Sequence, residues 1–228
     1  MLHGPGYDNI CTQGVALADT WPEAGPPVLW SVELGEGHAA AAILNGRVYV
    51  LDHIEQESAD ALRCFSLADG AEIWRRSYRV RVKRNHGLSR TVPAVTPEYA
   101  VTIGPRCHVM CVDSESGDFL WGIDMVRDYG AKTPGWYTGQ CPIIEEGLAI
   151  LAPCGTNVLM MAVDCASGEV AWTTPNPRGW DMSHSSIRPM TIAASGCLFM
   201  RQLAESWGCR RRVRIGLGAV ENWALGVS

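Results

Sequence analysis

Three gap-free copies of an eleven-residue segment, a tryptophan closing each copy, and four short apolar runs per copy predict an all-β chain. The predicted architecture is a partial β-propeller of four-stranded antiparallel blades, about three full blades with partial flanking ones. The copies run Cys64–Trp74, Cys111–Trp121 and Ala162–Trp172, and each has a small residue first, glycine seventh and tryptophan last. The tryptophans are 47 and 51 residues apart.

The elements follow in chain order. Pro26–Leu34, with Trp30 lying 44 residues before Trp74, reads as the last strand of a preceding blade. Unit one supplies strands at Ala39–Ile43, Val48–Asp52, Leu62–Ser66 and Ile73–Tyr78. Unit two supplies Val92–Val95, Tyr99–Ile103, His108–Val112 and Phe119–Ile123; unit three supplies Gln140–Ile144, Leu148–Leu151, Val158–Val163 and Val170–Thr174. No helical period competes along this stretch. Pro93, Pro142 and Pro189 recur at spacings of 49 and 47 near the start of each first strand, so Pro189 opens a fourth unit.

Inside the motif, apolar residues lead into a polar turn that ends in glycine, the residue suited to the positive φ of a hairpin loop. Asp113 and Asp164 can hydrogen-bond the turn backbone, and Ser66 stands at their position in the first copy. A flat indole needs a flat partner, and a small first residue with a bare glycine leaves room for it on a neighbouring sheet.

Three segments result: an irregular stretch over 1–27, the repeats over 28–194, and an Arg-rich tail over 195–228. In the tail a fourth motif would place Val213 first, Ala219 seventh and Trp223 last, so its small residue and glycine are missing. Arg201, Arg210, Arg211, Arg212 and Arg214 crowd a stretch without strand alternation. One reading is a solvated basic tail or a helix from about Phe199 to Trp207. The favoured reading is a tail translated out of frame, because the missing motif and the missing blades point the same way.

Composition narrows the function classes. Hydrophobic residues make up 47% and charged residues 19%, the balance of a folded domain. A net charge of −5 argues against nucleic acid as a partner. No apolar run is long enough to span a membrane, and Met1–Gly6 lacks the basic start and apolar run of a signal peptide. The cysteine count, nine, is odd, and Cys107 and Cys111 sit roughly 13 Å apart along one strand, which favours buried free thiols over a disulfide scaffold.

The pattern small-x-Asp-x-x-Ser-Gly-x-x-x-Trp resembles the tryptophan-docking motif of pyrroloquinoline-quinone (PQQ) repeat propellers, over roughly residues 28–194. That family includes quinoprotein alcohol dehydrogenases and an outer-membrane assembly scaffold, and closes with seven or eight blades. The resemblance implies that Trp74, Trp121 and Trp172 pack between neighbouring blades against small and glycine positions, with Gly70, Gly117 and Gly168 among the docking residues. It implies PQQ with calcium as a cofactor and a periplasmic or exported home. The family's dehydrogenases also use an adjacent Cys-Cys pair, which this sequence does not contain. Only about three full blades are present, so raw blade edges favour self-association.

Residues just before each first strand face one end of a propeller near its axis. There the sequence places His38, His86, Arg90, Gln140 and His184, with Trp136, Tyr137 and Trp180 in the loops of the same face. Cationic, amide and aromatic groups in that arrangement suit a small, flat acidic ligand or a protein partner. No catalytic residue and no metal ligand is nominated. The cluster Cys107-His108-Val109-Met110-Cys111 alternates in a strand, so His108 points away from both cysteines. Asp113–Asp118 reads as a hairpin turn rather than a calcium loop, and Arg79–Arg84 as a strand with one charged face at the edge of blade one. Gly216-Leu217-Gly218 lacks the third glycine of a dinucleotide site. The reading is a non-catalytic binding or interaction scaffold; the alternative is a fragment of a PQQ-dependent oxidoreductase.

Overall fold

Alternating β-branched and aliphatic residues, punctuated by turns that need positive φ, build the same unit three times. The computed structural model describes residues 19–84, 88–192, 195–203 and 210–216. Blade one pairs β1 (Ala42–Leu44), β2 (Arg47–Ile54), β3 (Ala59–Ser66) and β4 (Glu72–Arg79) in sequence order, all antiparallel. Blade two repeats this with β5 (Ala94–Val95), β6 (Tyr99–Ile103), β7 (His108–Asp113) and β8 (Phe119–Asp124). Blade three does so with β9 (Ile143–Glu145), β10 (Leu148–Leu151), β11 (Val158–Asp164) and β12 (Val170–Pro175). The two-residue loops Asn45-Gly46 and Glu146-Gly147 join the first two strands of blades one and three, with both residues at positive φ, as a tight hairpin requires.

The motif lies across the last hairpin of each blade. Its first residue stands directly opposite its tryptophan, in the pairs Cys64–Trp74, Cys111–Trp121 and Ala162–Trp172, and a register shift follows immediately in every copy. The small first residue therefore clears space beneath the indole of its own blade, and the glycine clears it on the next. Trp30, Trp74 and Trp121 lie against Gly70, Gly117 and Gly168, where a Cβ would come within 2.7, 2.6 and 2.8 Å of the ring. Those glycines also hold φ between +73° and +75°, so both space and backbone demand them. Trp30 thus docks on blade one as its spacing predicts, but the strand expected over Pro26–Leu34 is absent: those residues pair with no ladder among the described residues, and the indole is held by its Nε1–H on Leu67 O at 2.8 Å. The equivalent position for Trp172 is Ala219, which lies outside the described residues.

The turn acids work as expected, with one exchange. Asp113 accepts from the Glu115 and Ser116 N–H groups at 2.9 and 2.7 Å, and Asp164 accepts from Ala166 and Ser167 at 3.1 and 2.8 Å. Ser116 and Ser167 donate their hydroxyls to the same acids at 3.1 and 2.9 Å. In the first copy the pair is swapped: Ser66 stands third and Asp69 sixth, Ser66 Oγ accepts from Ala68 N–H at 3.3 Å, and Asp69 accepts from Ala71 N–H at 3.2 Å. These contacts hold Asp69, Asp113 and Asp164 below the usual carboxylate range: the Ser66 hydroxyl does so for Asp69, and the Ser116 and Ser167 N–H groups for the other two.

Three differences from the sequence expectation have physical reasons. The first strands begin later than predicted, because their leading residues bond to the next blade instead of to their own hairpin. Sheet pairing of blade one ends at Arg79; beyond it Val80 is buried and Arg81 exposed, so the alternation continues without a ladder. The short helix α1 (Met125–Tyr129) follows β8, with Asp124 capping the Val126 and Arg127 N–H groups at 3.1 Å and Gly130 ending it at φ +69°.

A fourth sheet opens at Pro189 as predicted, with β13 (Arg188–Ile192), β14 (Ser195–Leu203) and β15 (Arg210–Gly216) in that order. Residues 199–203 are strand rather than helix, and the arginines at 210–214 pair in register with it, from Leu203–Arg210 to Cys197–Gly216. The rest of the helix expected to Trp207 lies outside the described residues.

Candidate functional site

The segments leading into successive first strands lace together at one end of the blades. Gly37 bridges Ser89 in parallel, and His38 N–H donates to Ser89 O at 2.6 Å. One blade further on, Val92 N–H reaches Cys141 Sγ at 3.2 Å, and Cys141 N–H reaches Ser186 Oγ at 3.0 Å. Each lead-in thus uses its backbone on its neighbour, so the lead-in segments follow one another in a row.

Within that row His38 and His184 are exposed, Arg90 is half-buried and Gln140 is fully buried. His184 sits on Gly139, where a Cβ would be 2.7 Å from its ring. Trp136 presents 62% of its surface to solvent beside this row in sequence. Tyr137 donates its hydroxyl to Lys83 O at 2.6 Å and holds φ at +64°, so it ties down the segment that follows β4. Trp180 is half-buried. It packs against the blade-three core under the Arg178 guanidinium, 5.5 Å from the ring centre, with its backbone tied to Asn176 at 2.9 Å. His86 lies outside the described residues.

Two features escaped sequence reasoning. His53, Asp60 and Tyr78 are cross-strand neighbours on the blade-one face that meets blade two. Asp60, with no exposed surface, bonds His53 Nδ1 at 2.6 Å and Tyr78 Oη at 3.0 Å, and the network packs on Gly104 of blade two. The Asp60 hydrogen bond raises the His53 pKa, while burial drives that of Tyr78 well up. On the opposite face, Arg63 joins Asp52 at 3.1 Å to Glu72 at 2.6 Å, and Glu72 holds Arg75 at 2.9 Å. This ladder borders a cleft of about 290 Å³ closed by Glu33, Gly35 and Leu88. A larger groove of about 590 Å³ runs between β4 and β8, lined by Arg76, Arg79, Tyr78, His108, Phe119 and Arg127. Only a known hairpin register, which sequence alone left open, would have put these residues side by side.

A family model described as "Outer membrane protein assembly factor BamB" matches residues 24–131 and 58–204. No curated protein matches the chain. Among solved structures, a europium-containing methanol dehydrogenase aligns at 12% identity and a TM-score of 0.48, over 75% of this chain and 40% of that one. A quinohemoprotein alcohol dehydrogenase from Pseudomonas putida HK5 aligns at 16% identity and 0.46, over 79% of this chain and 32% of that one. BamB from Moraxella catarrhalis aligns at 14% identity and 0.39, over 82% of this chain and 69% of that one. The chain spans less than half the length of either dehydrogenase.

Proposed function

The chain belongs to the PQQ-like repeat propeller family, and on that premise we propose that it is a non-catalytic interaction module. Its lead-in face takes an acidic, aromatic-bearing segment of a protein partner. The observation that supports this reading is the lacing of the lead-ins, whose backbones bond from blade to blade in the segments that carry His38, Arg90 and His184. Guanidinium and imidazole groups recognise carboxylates through charge-assisted hydrogen bonds, and an exposed indole such as Trp136 supplies an anchor of the kind that dominates interfaces. The name of the matching family model supports a role in the cell envelope, with an exported or periplasmic home.

A small acidic ligand such as PQQ meets the same cationic groups. The described residues do not fit calcium beside it, because no group of three or more His, Cys, Asp and Glu converges among them. No redox step is therefore assigned to them.

The test is a titration of the tryptophan fluorescence with an acidic aromatic peptide, and in parallel with PQQ, with and without calcium. Saturable peptide binding, weakened roughly tenfold or more by Arg90→Ala and reduced by His38→Ala, supports the reading. Saturable binding of PQQ alone, dependent on calcium, overturns it in favour of the oxidoreductase fragment. No binding of either by a folded sample overturns the assignment of this face.

A further inference from the structure

We propose that Cys111 and Cys165 are a disulfide-forming pair that staples blade two to blade three. Cys64, Cys107, Cys111, Cys141, Cys154 and Cys165 carry free thiols. Cys111 opens the motif of blade two, beside Trp121 on the same face, and Cys165 is the fourth residue of the motif in blade three. Trp121 Nε1–H donates to Cys165 O at 2.9 Å, and Cys111 Sγ lies 3.7 Å from that same oxygen. The docking contact thus carries one thiol onto the residue that bears the other. Neither cysteine has exposed surface. The neighbouring thiols act on one another across the interface, which raises the pKa of Cys111 and lowers that of Cys165.

The repeat explains why the pair arises here. Docking sets position one of a blade beside position four of the next. At the preceding interface those positions hold Cys64 and Ser114, and position four of blade one is Leu67. Cys107 and Cys141 contact other groups instead, the Thr138 hydroxyl at 3.0 Å and the Val92 N–H at 3.2 Å.

The bond forms by exchange with a small-molecule disulfide such as oxidised glutathione, before the interface closes over the sulfurs. The Cys165 thiolate attacks one sulfur of that disulfide, breaks its S–S bond and expels one thiolate. Cys111 then loses its proton and attacks the Cys165 sulfur of the mixed disulfide, expelling the second thiolate. Two protein thiols are oxidised to one disulfide, and one small disulfide is reduced to two thiols.

The experiment refolds the full chain in a glutathione redox buffer and maps its cysteines by non-reducing digestion and mass spectrometry. The expected product is a cross-linked pair of peptides bearing Cys111 and Cys165, unaltered in Cys141→Ser. Oxidation should raise the thermal midpoint by roughly 5–10 °C for a loop of this length, and Cys165→Ser should make the midpoint insensitive to reductant. Recovery of Cys111 and Cys165 as separately alkylated thiols, or either one bridged to another cysteine, overturns the proposal. The mapping uses the unmutated chain, so it reads the pair even if a variant fails to fold.

Discussion

Where blade two meets blade three, Trp121 is 8% exposed and its indole N–H ends on Cys165 O at 2.9 Å. Where blade one meets blade two, Trp74 is half-buried, and its buried indole nitrogen has no hydrogen-bond partner. The equivalent acceptor, Ser114 O, instead receives Tyr49 Oη at 3.2 Å, with the Arg47 guanidinium bonded to the next carbonyl, Glu115 O, at 2.6 Å. Polar contacts make up the difference: Arg76 Nε donates to Gly117 O at 2.7 Å, and the His53–Asp60–Tyr78 network packs on Gly104. One motif therefore closes two interfaces, one with its indole N–H bonded directly, the other with an apolar centre and polar contacts around an unbonded indole nitrogen. A docking sequence specifies where the ring goes; its neighbours decide what the ring's N–H does.

The largest expected effect falls on the glycines that both interfaces need. Gly117→Ala and Gly168→Ala each put a Cβ against an indole at positive φ, and each should lower unfolding free energy by about 2–3 kcal/mol in urea titrations. If only one does, the interfaces differ in more than hydrogen bonding.

Removing one hydroxyl sharpens the contrast. Tyr78→Phe leaves the buried Asp60 with one donor fewer, and should cost about 1–3 kcal/mol. Tyr49→Phe leaves Ser114 O with only the long 3.5 Å contact from Arg47 and open to Trp74, so the loss is offset, and the change should stay within about 0.5 kcal/mol. Equal losses in the two variants would show that Trp74 does not recover the vacated acceptor.

The polar interface should also respond to pH. Asp60 raises the His53 pKa above the ordinary 6.5, so the folded state binds its proton more tightly than the unfolded state. The stability this brings is complete below 6.5 and is lost as pH rises through the folded value. Urea midpoints should therefore fall across that window, and His53→Gln should flatten the fall. An unchanged slope in His53→Gln would assign the response to another group.

The smallest effect is expected at the turns. Exchanging Ser66 and Asp69, as Ser66→Asp with Asp69→Ser, recreates the order of the other two copies and should leave the midpoint unchanged. A shift would mean that the reversed order is needed in blade one.

Much of this was legible in the sequence. Trp30, Trp74 and Trp121 were placed by spacing alone, because the motif is local and its glycines have a single conformational reason. The first strands were drawn too long, since the partners of the lead-ins belong to the next blade, some fifty residues away. The recurrence of the lead-in segments could be anticipated from the prolines, whereas the packing of Trp180 depends on the Asn176 turn, which has no repeat to announce it. His53, Asp60 and Tyr78 become neighbours only through the exact pairing of three strands.

The most direct test of unequal docking is a paired urea titration of Trp121→Phe and Trp74→Phe. Both remove an indole N–H and retain an aromatic ring, but only Trp121 gives up a hydrogen bond. Trp121→Phe should cost about 2–3 kcal/mol and Trp74→Phe about 1 kcal/mol. Equal losses, or a larger loss at Trp74, would contradict the account.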